Sequence, residues 1–277
     1  MASMTTKARW NLTDVAWASF DASRVDPEVL KIVKAAALVE YNAHDYADYL
    51  CNVFNEDPEF QAAARQWAAE EIQHGEALGK WALLADPSFD FDGAVKRFRK
   101  MYRVDIGAAE SIRGSRAGEL IARCMVETGT SSYYTALGEA TTEPVLKAVC
   151  QHIAADEHRH YKLFYTHLKT YLAQDGIGTI QRLRIAMGRI AESEDDELAS
   201  AYYAANADSG ALYDREHYSR EYMCRAYSYY RHRHLERAVG MIFKACGLKP
   251  QTPLFRVSQR VAWWIFEKRA RQFQAAA

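Results

Sequence analysis

Glycine and proline are scarce in this chain of 277 residues, at 14 and 6. Both residues punctuate turns, so their rarity argues against a turn-rich β architecture and for long helices. Cysteine is sparse too. Cys51, Cys124, Cys150, Cys224 and Cys246 are far apart, odd in number and never arranged as Cys-x-x-Cys. That pattern argues against a disulfide framework or a cysteine-bound metal and fits a reducing cytoplasm. No run of about 18 uncharged apolar residues occurs, so no transmembrane helix is expected. The opening "MASMTTKARW" has no apolar stretch of the secretory kind. Hydrophobic residues at 49% and charged residues at 26% are ordinary for a globular chain. With no internal linker or low-complexity tract, residues 1–277 read as a single domain.

Net charge is −1, but it is unevenly spread. Residues 231–277 carry ten Lys/Arg against only Glu236 and Glu267, and an acidic knot, "ESEDDE", lies upstream at 192–197. No nucleic-acid partner is expected. A basic, aromatic-bearing C-terminus suits an acidic partner, an anionic surface or simply water.

Along the chain, apolar residues recur at alternating steps of three and four, as one face of a helix requires. After Asp26-Pro27 the first such face runs Leu30, Val33, Ala37, Glu40, His44, Ala47, Cys51. After Asp57-Pro58 the second runs Phe60, Ala64, Trp67, Glu71, His74, Leu78, Trp81. A basic stretch, 96–103, leads into a third with Leu120, Cys124, Glu127, Ser131, Tyr134 and Gly138. The fourth carries Leu146, Cys150, Ile153, Glu157, His160, Phe164, His167 and Tyr171, with Thr142 as a candidate N-cap. Further helices are expected at about 178–191, 196–207, 214–246 and 253–273. Residues 1–25 read as irregular, with Trp10, Trp17 and Phe20 tucked against the body. The expected fold is all-α: a ferritin-like four-helix bundle over 26–174, with additional C-terminal helices over 175–277.

Each of the four main stripes is interrupted by one glutamate: Glu40, Glu71, Glu127 and Glu157. On two of them a histidine follows three residues later, giving "EIQH" (71–74) and "EHRH" (157–160). A spacing of three places two side chains about 60° apart on one face, one turn along. Glu157 and His160 therefore converge, while His158 and Arg159 point elsewhere. Four buried carboxylates need compensation, because desolvation and mutual repulsion cost several kcal/mol per group. Two divalent cations supply it, and neutral imidazoles complete the coordination. A glutamate from each of two helices plus Glu-x-x-His from each of the other two is the ligand set of di-iron carboxylate bundles. One Glu-x-x-His is a weak signal; the ordered set of four, at intervals of 31, 56 and 30 residues, is specific. Iron is expected, though the same ligands suit a manganese–iron pair. Asp156 can accept a hydrogen bond from a ligand histidine or be an ordinary exposed acid. His44 reads as a satisfied core histidine, with a supporting role at the metal as the alternative.

"AEEIQHGEAL" (69–78) and "ADEHRHYKLF" (155–164) resemble the signature stretches of the soluble acyl-acyl-carrier-protein desaturases, which read Glu-Glu-x-x-His-Gly and Asp-Glu-x-Arg-His. The resemblance covers roughly 30–170. It implies metal ligation by Glu40, Glu71, His74, Glu127, Glu157 and His160. It makes Thr130, in "ETGT", a residue of the oxygen-binding pocket, and Asp156 a supporting group beside the ligands. It implies reduced iron, dioxygen, electrons from a ferredoxin and a fatty-acyl substrate, with acyl carrier protein as its candidate carrier and a homodimer as the expected assembly. The chain is shorter than plant-type desaturases, and the resemblance assigns no match to 175–277. Aldehyde-deformylating oxygenases, N-oxygenases and hydroxylases share the same ligands, so they stand as alternatives. An iron-binding oxidase or peroxidase and a metal-free interaction protein stand further off. Lys96, Arg97, Arg99, Lys100 and Arg103 are one candidate dock for an acidic carrier. Arg256, Arg260, Lys268, Arg269 and Arg271 are another. Beside the latter, Leu254, Val257, Val261, Trp264 and Ile265 form an apolar stripe that can pack on the bundle or lie on a membrane surface as a peripheral contact. Small residues on the third helix (Gly129, Ser131, Gly138) either leave room for an acyl chain or allow close helix packing.

Overall fold

The computed structural model describes residues 9–192, 196–208 and 210–275. Among them there is no strand. Three short 3-10 turns precede the helices α1 (Pro27–Tyr41), α2 (Ala43–Val53), α3 (Pro58–Ala85), α4 (Phe91–Met101), α5 (Arg116–Ala140) and α6 (Pro144–Asp175). The C-terminal part adds α7 (Thr179–Ala191), α8 (Asp196–Asn206), α9 (Arg215–Ser228), α10 (His232–Ala245) and α11 (Pro253–Ala275). The all-α class is as the sequence implies.

Local chemistry sets the ends of these helices. Asp26, Asp57 and Ser115 each accept a backbone N–H from the first turn of α1, α3 and α5. Proline occupies the first turn of α1, α3 and α6, where its missing N–H costs nothing. The N-cap of α6 is Glu143, not Thr142: its carboxylate takes the N–H groups of Val145 and Leu146. The carboxylate also accepts the Trp81 indole N–H at 2.7 Å. A glutamate wins here because its longer arm reaches both the helix end and the tryptophan. α6 ends at Gly176, whose φ of 65° suits a residue without a Cβ.

Two expected helices are divided, and one helix is added. The first breaks at Asn42, so α2 restarts with a new phase and His44 is exposed rather than a core residue. The basic stretch 96–103 falls mostly within a helix of its own, α4. There Arg97 donates to the Ala204 carbonyl at 2.9 Å and Arg99 to Asn42 Oδ1 at 3.0 Å. Two of its five cations are thus spent holding the fold. The span 214–246 divides at 229–231 into α9 and α10. Of the acidic knot, residues 193–195 lie outside the described residues, while Glu197 is buried and accepts the Tyr46 hydroxyl at 2.8 Å. Trp10 is buried, as expected, and the five cysteines are free thiols.

α1 packs on α3, α3 on α6 and α6 on α5, and the α5–α6 contact is the most extensive. The core divides into two apolar clusters. One gathers Ile32–Leu38, Ala77–Ala82, Tyr133–Leu137 and Val145–Ala154 with residues of α8 and α9. The other gathers α2, Phe60–Ala68, Ala117–Met125 and Tyr161–Tyr171. Fully burying each large side chain contributes about 1.5–3 kcal/mol. Between the clusters, at one level of all four bundle helices, lie Glu40, Glu71, His74, Glu127, Glu157 and His160, all buried.

Candidate metal centre

Close helix contact sets the level of this polar layer. Gly75, next to His74, lies so near α1 that a Cβ there would stand 2.6 Å from the Tyr41 backbone nitrogen. Gly138 packs against Cys150 in the same way, at 3.0 Å. The small residue at 138 therefore serves helix approach. Gly129 instead faces open space. Clefts of about 140 Å³ (at Ser132, Glu139 and Arg233) and 210 Å³ (at Tyr227, Trp263 and Phe266) are lined by none of the six layer residues.

The six side chains form two overlapping sets of four. Glu40, Glu71, His74 and Glu157 bring one potential ligand atom each within 4.8 Å of one another, and so do Glu71, Glu127, Glu157 and His160. Glu71 and Glu157 belong to both sets; Glu40 and Glu127 each belong to one. His74 turns Nδ1 inward, 3.3 Å from Glu71 Oε2 and 3.3 Å from Glu157 Oε1. His160 turns Nδ1 inward likewise, 2.9 Å from Glu71 Oε1 and 3.7 Å from Glu127 Oε2.

The outward nitrogens are held by carboxylates. His74 Nε2 lies 3.1 Å from Asp156 Oδ2, and His160 Nε2 lies 3.0 Å from Glu70 Oε2. Each acid directly precedes the glutamate of the opposite Glu-x-x-His motif, so the support is crossed. Asp156 also accepts the Trp10 indole N–H at 2.8 Å. Arg159 bridges the two acids, reaching Glu70 Oε2 at 3.0 Å and Asp156 Oδ1. Sequence reasoning singled out Asp156 but missed Glu70, Arg159 and Trp10. For Glu70 a signal was present: "EEIQH" and "DEHRH" both put an acid before the motif's glutamate.

Two hydroxyls touch the layer from α5. Tyr134 donates to Glu40 Oε1 at 2.5 Å, and Thr130 Oγ1 lies 2.6 Å from Glu157 Oε2. His152 stacks on Trp10 and His167 meets Phe60 edge-on, both in packing roles.

The electrostatics of the layer are tense. Burial, then the neighbouring Glu71, pushes Glu40 well above the ordinary carboxyl range. Burial and Glu157 do the same to Glu127. Burial also opposes ionisation of Glu71 and Glu157, but the imidazoles outweigh it and hold both below the usual range. For the histidines, burial disfavours the charged form, yet the surrounding carboxylates raise both well above the ordinary imidazole value. Burial raises Asp156 too, but the bonds from His74, Arg159 and Trp10 prevail and hold it at about 2.

The donor set fits divalent cations. Both oxygens of Glu127, Oε1 of Glu157 and Nδ1 of His160 are buried without a properly aligned hydrogen bond, although their neighbours are close. Atoms that converge without bonding one another suit a shared electrophile. Two cations would balance the four carboxylates, and the carboxylate–imidazole–metal arrangement is the one ligand histidines usually adopt.

No helix among the described residues is long and apolar enough to cross a membrane. No curated protein matches the sequence. A family model described as fatty acid desaturase matches residues 28–224, which takes in the bundle and all six layer residues and, contrary to the expectation that the likeness ends near 170, also α7, α8 and most of α9. The chain belongs to this fatty acid desaturase family, the family of the acyl-acyl-carrier-protein desaturases.

Proposed function

We propose that the protein is a cytoplasmic, ferritin-like di-iron oxidoreductase that uses dioxygen to oxidise a fatty-acyl chain, with desaturation as the outcome. The observation that carries this reading is the pair of overlapping four-ligand sets. On this reading Glu40, Glu71, His74 and Glu157 would hold one metal ion and Glu71, Glu127, Glu157 and His160 the other. Two iron ions held there would supply the redox chemistry that couples reduction of dioxygen to oxidation of unactivated carbon.

The chain's own residues prepare that chemistry. Asp156 and Glu70 each accept a hydrogen bond from the Nε2–H of His74 and His160, which would leave the inward Nδ1 atoms to coordinate metal once deprotonated. Burial of all six residues keeps bulk water from the site. Thr130 holds a proton at Oγ1 against Glu157 Oε2, on the α5 side of the site. Tyr134 steadies the terminal ligand Glu40. Family membership supports a fatty-acyl substrate; in this proposal it is carried on acyl carrier protein, with a ferredoxin as electron donor and a homodimer as the assembly.

The test is oxygen consumption by iron-loaded protein with reduced ferredoxin and a saturated acyl thioester. Acyl-dependent uptake and a product lighter by two hydrogens support the proposal. A product heavier by one oxygen atom would instead assign a hydroxylase, and uptake indifferent to acyl substrate would leave an iron oxidase.

A further inference from the structure

α11 lies beyond the family match, and it carries a surface that the bundle does not use. Its inner face is aromatic. Phe266 stacks on Tyr227 of α9 at 4.4 Å, Phe273 meets the same ring at 5.4 Å, and Phe255 meets Phe243 of α10 at 5.2 Å. These contacts attach the helix, yet none of its residues is buried. Its outer face presents Leu254, Val257, Val261, Trp264 and Ile265, each 45–59% exposed. At 100° per residue the five fall within an arc of about 100°, so they form one stripe three turns long.

Cations border that stripe. Arg260 and Arg271 fall along one edge and Arg269 along the other, while Lys268 lies in line with the stripe near its end. Lys268 Nζ sits 5.7 Å from the centre of the Trp264 ring. Glu267 is the only acid in the helix, against five Lys/Arg.

We propose that α11 docks this protein onto an anionic lipid bilayer, with the stripe seated among the headgroups and the basic edges on acidic lipids. An apolar arc with cationic margins and a tryptophan is the pattern of a helix that lies in the plane of a membrane interface. Charge complementarity favours an anionic partner over a second copy of this chain. Two copies of α11 laid stripe to stripe would bring five cations toward five, with a single glutamate each to offset them. The stripe is also a ridge rather than a groove; a deformable bilayer accepts a ridge of aliphatic side chains. Such docking would place the enzyme where acyl chains are handled, but it does not rest on the metal centre.

The full-length protein should co-sediment with phosphatidylcholine vesicles containing phosphatidylglycerol, about tenfold or more tightly than with phosphatidylcholine alone. Binding should weaken as salt rises through physiological strength, where exposed charges are screened beyond about 8 Å. The variants V261E/W264E and R260E/R271E should each lose about tenfold or more, with circular dichroism unchanged. Should V261E/W264E melt early, the milder V261S/W264S pair carries the same comparison. Three results would each overturn the proposal. One is the absence of vesicle binding at low salt. Another is vesicle binding that neither variant alters. The third is a different occupant: a dimer that V261E/W264E dissociates, or an acidic carrier protein bound in place of vesicles.

Discussion

His160 of α6 sets its Nε2 3.0 Å from Glu70 Oε2 of α3, ninety residues away in the chain. Its counterpart His74 makes the mirrored bond to Asp156 of α6. Each motif thus orients the histidine of the other, and the two are interdependent. E70Q should weaken metal binding by about 10–100-fold, since that is the usual cost of losing a carboxylate behind a ligand imidazole. A metal titration of E70Q beside D156N checks this. An unchanged affinity in E70Q would reduce Glu70 to a surface-pairing role.

The protein should bind two metal ions per chain, and E71A/E157A should retain neither at stoichiometric level. Both sites lose a ligand in this double variant, because these two glutamates belong to both sets. Metal content by mass spectrometry after desalting reads the result; full loading of the double variant would refute the ligand assignment.

Gly75 tolerates no side chain. A methyl group there would stand 2.6 Å from the Tyr41 backbone nitrogen and 2.8 Å from its Cα, and backbone does not yield as a flexible side chain does. G75A should destabilise the fold by about 1–3 kcal/mol, the usual range for overpacking. It should also weaken metal binding, because α1 carries Glu40. Thermal melting and a metal titration of the same variant test both effects.

Glu143 is completely buried and satisfies donors from three parts of the chain: Trp81 Nε1, the N-terminus of α6 and the Asp21 N–H. E143A should leave those donors unpaired and cost at least about 2 kcal/mol by analogy with lost caps and unsatisfied buried groups. Denaturant unfolding of E143A measures it, and a loss under about 0.5 kcal/mol would contradict this account.

Asp86 gives a dependence on pH. Its carboxyl is lowered to about 2, first by Lys34 at 2.6 Å and then by Ser88. A folded-state value below the ordinary 3.8 contributes stability that is complete above that value and lost as pH falls toward 2. The carboxylate is partly exposed, 29% of its side-chain surface, so screening by water limits the effect to about 1 kcal/mol. D86N should be less stable than the parent at neutral pH, and the difference should close between about pH 4 and pH 2. A difference that persists at pH 2 would assign the loss to the bonds with Ser88 instead.

The six layer residues were legible because a helix writes its buried face into the sequence every three or four positions. A glutamate on an otherwise apolar stripe stands out against that period. His44 shows the limit of the method. It keeps perfect spacing from Glu40, but the chain turns at Asn42, and one changed backbone conformation carries His44 out to solvent. Trp10 was legible only as a buried aromatic. Its indole bond to Asp156 spans 146 residues, and nothing local encodes it.

From the sequence alone came the all-α class, the main bundle stripes and the six residues that interrupt them, because period and end-capping are local properties of a helix. Periodicity gives the direction in which a side chain points around its axis. It does not give the height at which that side chain meets a neighbouring helix. Only the packed structure decided that height, through close approaches such as Gly75 on Tyr41 and Gly138 on Cys150. Those contacts bring four glutamates and two histidines to one level between two apolar clusters, and they cross-pair Glu70 with His160 and Asp156 with His74.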